Sequence, residues 1–496
     1  MTANPAGRGA PMSGSEGQAR PARPIVLPPI FGGIRPRTRW RELGLLALVA
    51  AALLAGSVSL GATVHARNGT TTIAPADPTL LTVYLGALLV AHLAQVVAGR
   101  RTDQVLMPTF GMLGGIGLLL MERLPQTLVE QSFGGRTFGL ASLQIGWLLM
   151  AIVIVTVLAI VVRSDRWLRL YKYTWAALGI ALLLVVFLFG RDTSGQLLSI
   201  EIGPISGQPS ELLKVILVVF LAGYLSENRS LLVDEYTAIG PLRLPPLPYL
   251  LPMVAMWAIA LGIVVVERDL GAALLFFAVF LLLLYAATAR LSYVIGGLVL
   301  FVAGSAVLYR LFDTVQTRVD IWIDPFRDPS GAGYQVVQAL YAFGRGGILG
   351  TGLGAGLPQV AGRLPIPAIH TDFPFAALGE ELGLIGLLAI LGLYLVVIER
   401  GLRIAASAAD DFRALLATGL SLVVGVQAFI IAAGNLKLIP LTGITLPFIS
   451  YGGSSLLANA LVIGLLLALS DRGVEPPPPP RRRRRGLRRL FERGAA

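Results

Sequence analysis

The sequence predicts an all-α fold: a polytopic membrane bundle of about twelve transmembrane helices with one large extracellular loop. Three observations carry this. Of 496 residues, 55% are hydrophobic and only 14% charged, against about 25% charged in a soluble domain. The mean hydropathy is +0.75. The apolar residues gather in runs of about 20, the length a helix needs to cross a bilayer, whereas a spanning barrel would show short segments of alternating polarity.

The predicted spans are 43–64, 79–98, 105–121, 143–162, 174–190, 210–225, 249–266, 270–288, 292–309, 373–398, 414–435 and 455–470. Residues 1–42 are rich in Pro, Gly and Arg and lie too far ahead of the first run for a signal peptide, so they read as a disordered basic cytoplasmic tail. At the other end, 471–496 holds Pro476–Pro480 and then Arg481–Arg485. This stiff spacer and basic block either attracts anionic membrane lipids, at about 1 kcal/mol per charge, or serves as a topology anchor. No aromatic or fold context around these arginines supports nucleic acid as a partner.

Lys and Arg favour the cytoplasmic side. The two tails and the dense run Arg163, Arg166, Arg169 and Lys172 put both termini inside, while the remaining interior loops do not decide the matter by count. This orientation places 311–372 outside. A connection of roughly 60 residues is usually functional or disordered, and Trp322, Tyr334, Tyr341 and Phe343 within it predict order. ATP is absent on that side, so chemistry there draws its energy from the substrate or an ion gradient. The chain has no cysteine, which excludes disulfides, thiolate metal sites and a Cys nucleophile. His65, His92 and His370 do not make a metal cage.

Ionisable groups within or at the ends of spans are costly and commonly mark sites. Glu267-Arg268-Asp269 interrupts two apolar runs. Asp269 serves either as an interfacial helix cap or as a functional carboxylate, with Gly271 allowing close approach. Gln208-Pro209-Ser210-Glu211 opens another helix, with Ser210 as a candidate N-cap. Glu211 and Lys214, at i and i+3, share a face; they form either an internal ion pair or a site for an anionic head group. Gly344–Gly356 lacks the spacing of a phosphate loop, so its glycines read as close packing. Arg318, Arg345 and Arg363 of the same loop are candidate bidentate ligands for pyrophosphate or solvated charges. His370-Thr371-Asp372 precedes a span, and Glu380-Glu381 lies about two turns into it, in need of a partner. Ser450, Gly452, Ser454 and Ser455 open the last span, where they cap a helix, line a cavity or permit close helix packing. No G-x-S-x-G hydrolase signature is present.

Together, QPSELLK (208–214), ERDLGAALL (267–275), GAGYQVVQAL (331–340), GTGLGAG (350–356), HTDFPFAALGEELGLIG (370–386) and LTGITLPFISYGGSS (441–455) resemble the SEDS family of FtsW, RodA and SpoVE, with a RodA-like form favoured. The resemblance implies a ten-span core over 105–470, preceded by two added helices at 43–98. It implies a peptidoglycan glycosyltransferase that polymerises lipid II, with the family's essential aspartate at Asp269 and its QPSE…K pair at Glu211 and Lys214; Gln208, Ser210, Arg318, Arg345, His370, Thr371, Asp372, Glu380, Ser450, Gly452, Ser454 and Ser455 complete the candidate substrate contacts. No cofactor is fixed by these motifs; a divalent cation, Mg or Mn, is the candidate helper for Lys214 or the loop arginines in stabilising the leaving group. A class B penicillin-binding protein transpeptidase is the implied partner, at the bacterial cytoplasmic membrane. The alternative is a transporter, either a lipid II flippase or an ion-coupled carrier; a non-catalytic scaffold is a third reading. No clear internal repeat favours the carrier.

Overall fold

Every predicted span that falls among the described residues forms a helix. The computed structural model describes 36–67, 75–133, 136–189, 205–234, 269–356 and 364–471, with short pieces between 191 and 202 and between 237 and 262. The span at 249–266 lies outside these residues, as do Glu267, Arg268, Arg363 and most of both tails. In order the helices are α1 (Trp40–Arg67), α2 (Pro78–Ala98), α3 (Leu106–Arg123), α4 (Leu140–Val161), short α5 (Arg166–Leu170), α6 (Lys172–Phe189), α7 (Pro209–Asp234), α8 (Leu270–Thr288), α9 (Leu291–Leu311), α10 (Asp313–Ile323), α11 (Tyr334–Gly346), α12 (Pro374–Ala406), α13 (Asp411–Asn435) and α14 (Gly453–Ser470). Small antiparallel strand pairs occupy the connections, such as Gln131–Phe133 with Arg136–Phe138.

Among the described residues, nine helices are long and apolar enough to cross a membrane. The chain is a multi-pass membrane protein. Helix α3 is central: nearly every face is buried, and small residues set its approach to neighbours. A Cβ on Gly117 would come within 2.7 Å of the Ile449 carbonyl. At the other extreme, only 6% of the α9 span is buried, so that helix presents almost its whole surface to lipid.

The helix ends are polarised. At one end the first helix begins at Trp40, inside the stretch 1–42 expected to be a tail, because its first polar residues have partners. Arg39 and Glu42 are buried (4% and 0% exposed). Arg39 pairs with Glu42, its Nη1 donates to Thr102 Oγ1 at 2.9 Å, and His92 Nδ1 lies 2.7 Å from Glu42 Oε1. Arg100 pairs with Asp471 at 2.8 Å on the same end. This network ties α1 and α2 to the remaining helices.

Helix α12 is broken at Gly383, which has φ +66°. A break in lipid must satisfy the backbone groups it frees. Here the chain after α11 does so: Leu384 N–H donates to the Gly347 carbonyl (3.0 Å) and Ile385 N–H to that of Ile348 (3.2 Å). Thr351 and Gly352 N–H groups donate to the carbonyls of Glu380 and Glu381, both at 2.9 Å. A Cβ at Gly346, Gly350 or Gly383 would collide with backbone across this contact. The glycine run therefore works as a close-packing segment. Gly383→Ala is expected to destabilise by about 2 kcal/mol or more, seen as a lowered Tm in detergent. Gly392→Ala in the same helix, where a Cβ meets open space, leaves Tm unchanged or slightly raised.

Candidate active site

The N-terminal ends of α7, α8, α12 and α14 gather at the other end of the bundle. Asp269 caps α8, as its place before an apolar run predicts: Oδ1 accepts from Ala272 N–H at 3.0 Å. Its second oxygen faces outward from the cap, accepting from Gln208 Nε2 at 3.1 Å and Ser210 Oγ at 3.3 Å. The cap reading and the functional reading thus apply to the same carboxylate. Ser210 is not the N-cap of α7. That helix begins at Pro209, so Ser210 sits in the first turn and its hydroxyl reaches Asp269. Gln208 N–H donates to Ser454 Oγ at 2.9 Å, joining α7 to α14.

One turn into α7, Lys214 Nζ donates to Glu211 Oε2 at 2.6 Å and to Gln427 Oε1 of α13 at 2.8 Å. Lys214 is almost fully enclosed (2% exposed). Gln208, Ser210, Glu211, Lys214 and Asp269 line one cleft, together with Gln427 and the segment Thr442–Thr445. Gly271 allows α8 to lie against that segment, since a Cβ there would come within 2.8 Å of the Thr442 carbonyl.

Among the described residues, the large loop contributes one cation. Arg318 on α10 donates from Nη1 to the Thr442 carbonyl at 3.1 Å. Helix α10 is pinned beside it by Trp322 Nε1 on the Lys437 carbonyl (3.2 Å). Arg318 faces both Asp269 and Asp372. Burial pushes the Asp269 carboxyl above its ordinary range, and Glu211 adds to this; the Ala272 N–H, the Ser210 hydroxyl and the Arg318 charge act against it. Burial likewise raises Asp372 to about 6, opposed by Thr371 and Arg318.

Other expected site residues have structural partners. Tyr451 N–H donates to the His370 carbonyl (2.8 Å), Ser450 Oγ to that of Thr371 (2.7 Å), and Asn435 Nδ2 to that of Asp372 (2.9 Å). These bonds fasten the start of α12 to the end of α13 and to the turn before α14. In that turn Phe448 holds φ +68°, a strained value for a side chain of its size, clamped by an edge contact with Phe110 at 5.1 Å. Ser455 hydrogen-bonds Thr445 Oγ1 at 2.6 Å, and Gly452 is the residue before α14. Glu380 and Arg345 are not brought to the cleft. They pair with each other at 2.9 Å, while Glu381 pairs with Arg123. Arginines are thus the partners that the two glutamates beside the α12 break need. Gln427, Thr442 and Thr445 went unnoticed in the sequence; for Gln427 the signal was a lone amide in an otherwise apolar span.

Among the described residues no three acidic or histidine side chains converge as a metal cage. Magnesium, however, is commonly held by one or two carboxylates plus substrate phosphates. Glu211 in the same cleft as Asp269, with the buried Thr442 hydroxyl lacking a hydrogen-bond partner, offers oxygen donors that fit such an ion.

A multi-pass bundle that holds a carboxylate, an ammonium and a guanidinium around one end-facing cleft defines a membrane-embedded protein with an acid–base site. Residues 103–473 match the FtsW, RodA and SpoVE family, described as cell cycle proteins, and the chain belongs to that family. It is 41% identical over 389 residues to the peptidoglycan glycosyltransferase RodA of Mycobacterium tuberculosis, covering 78% of this chain and 81% of the relative. It is 36% identical over 293 residues to the probable peptidoglycan glycosyltransferase FtsW of Geobacter metallireducens, covering 59% and 74%. A chain from a peptidoglycan synthase complex that coordinates polymerization and crosslinking shares the fold, with TM-score 0.53 and 24% identity, covering 87% of this chain and 97% of that one.

The raised Asp372 carboxyl makes stability depend on pH with a definite sign. Its folded-state value of about 6 exceeds the ordinary 3.8, so the folded form holds its proton more tightly and stability is lost as pH rises through that interval. Asp372→Asn removes this loss. Its Tm advantage over the unmodified protein should widen between pH 4 and 6.5, and a constant difference would contradict the assignment.

Proposed function

We propose that this peptidoglycan glycosyltransferase polymerises lipid II into glycan strands in the Asp269 cleft, at the outer face of the bacterial cytoplasmic membrane, during elongation or division. The observation that carries the reading is a buried carboxylate with one oxygen turned toward a cleft that also holds Lys214 and borders Arg318. Glycosyl transfer needs a base for the acceptor and charge stabilisation for the leaving group. Asp269 takes the proton of the acceptor's GlcNAc 4-hydroxyl. That oxygen attacks C1 of the donor's MurNAc, and the C1–O bond to the pyrophosphate breaks. Undecaprenyl pyrophosphate departs with the electron pair. Lys214 and Arg318 supply positive charge to it. A magnesium or manganese ion held by Glu211 and the Thr442 hydroxyl would add charge neutralisation at the pyrophosphate.

The reading keeps both termini cytoplasmic, in line with the basic tails. The prenyl chains lie among the lipid-facing helices. The partner is a class B penicillin-binding protein transpeptidase, a reading supported by the shared fold of a chain from a complex that couples polymerization to crosslinking.

Purified protein with its partner and lipid II should yield glycan polymer, and Asp269→Ala should lower the rate by about 10²–10⁴, the usual worth of a general base. Wild-type polymerisation by that variant removes Asp269 from the role. Because burial raises Asp269, the base is lost as pH falls through that raised value. The acid limb of kcat/KM should therefore lie above that of an ordinary carboxylate. Arg318→Met, which withdraws a charge that favours the ionised form, moves the limb to still higher pH; an unmoved or lowered limb contradicts this.

A further inference from the structure

We propose that Gln427 is a positioning residue for the transfer reaction, holding the Lys214 ammonium toward the cleft and tying it to the Thr442–Thr445 wall. The inference rests on the functional reading above and deepens it.

The Gln427 side chain is buried (1% exposed) in the middle of an apolar helix. A buried amide is tolerated only with partners for both ends. Its Oε1 accepts from Lys214 Nζ at 2.8 Å. Its Nε2 donates to the Thr445 carbonyl at 2.9 Å and approaches Ser455 Oγ at 3.5 Å. Only one orientation of the amide serves an ammonium on one side and a carbonyl on the other, so the group cannot flip without losing both bonds.

The same wall is gripped elsewhere. Arg318 holds the Thr442 carbonyl at 3.1 Å, and Thr445 Oγ1 bonds Ser455 Oγ at 2.6 Å. Helix α8, headed by Asp269, packs on this segment through Gly271. One amide thus sets the distance between the cation on α7 and the wall that faces the carboxylate on α8.

Charge counting explains why the residue is neutral. The charged groups facing this position are Glu211 and Lys214 on α7, Asp269 on α8 and Arg318 on α10. Lys214 has three N–H donors. Glu211 and Gln427 take two, leaving the third for an anionic group in the cleft. A neutral acceptor fixes the ammonium without cancelling further charge. A carboxylate in the same place would keep the bond to Lys214, lose the bond to Thr445 and oppose a pyrophosphate.

The test compares Gln427→Glu with Gln427→Met in the full-length protein with its partner, using lipid II, and records kcat, KM and Tm. Glutamate is isosteric but charged; methionine fills the space and makes neither bond. A positioning role predicts that Q427E lowers kcat about 100-fold and Q427M about tenfold, with KM changed less than threefold and Tm close to wild type. A packing role predicts losses that follow Tm, with Q427M no better than Q427E. That result, or wild-type kcat in both, overturns the proposal. Should Q427E fail to fold, Q427M decides: a tenfold loss of kcat at unchanged Tm supports positioning, and wild-type kcat overturns it. Asp269→Ala, run beside them, separates the two levels of the account. If it polymerises normally, the functional reading fails; if it is inactive while the Gln427 variants match wild type, only this inference fails.

Discussion

The carboxylate of Asp269, buried between the starts of two helices, is the constraint around which this end of the bundle is organised. A buried carboxylate without partners is costly. Here α8 offers its own N–H through Ala272, and α7 offers Gln208 and Ser210. The helix N-termini bring partial positive charge, and Arg318 adds a full one from the loop. Burial still prevails over them and holds the carboxyl above its ordinary range. The position of α7 relative to α8, the glycine after the cap, and the Thr442–Thr445 wall each follow from enclosing that group while leaving one side open.

The rest of the molecule supports this in two ways. The opposite end is closed by buried ion pairs, with Arg39, Glu42 and His92 fastening α1 and α2 and with Arg100 holding Asp471. Beside the site, the α12 break at Gly383 gives the large loop a backbone ladder to dock on, and Glu380 and Glu381 find arginines there. Residues 347–352 of the loop are therefore held by satisfied backbone groups, and α10 brings Arg318 to the cleft through its own bonds to the Thr442 and Lys437 carbonyls.

Much of this was legible in the sequence. The spans followed from apolar runs, and Asp269, Gln208 and Lys214 stood out because charge or polarity at a span boundary is expensive. The glycine run read as packing because it lacked phosphate-loop spacing, and the collisions a Cβ would make there agree. Other features depend on distances along the chain that no local pattern encodes. Gln427 lies 213 positions from Lys214, and nothing near it signals the contact. Glu380 resembled a site residue because its partner, Arg345, reaches it only through a helix break. Ser210 fits a cap by residue type, yet Pro209 already starts the helix and frees its hydroxyl for Asp269.

The absence of native cysteine makes accessibility the most direct measurement of the central claim, that the cleft opens to the outer face and receives the substrate. A single cysteine at the half-buried cleft residue Thr445, Thr445→Cys, should react in intact cells with a membrane-impermeant thiol reagent applied from outside, and lipid II added to the purified protein should slow the reaction. Labelling only from the cytoplasmic side, or labelling indifferent to lipid II, would contradict the account.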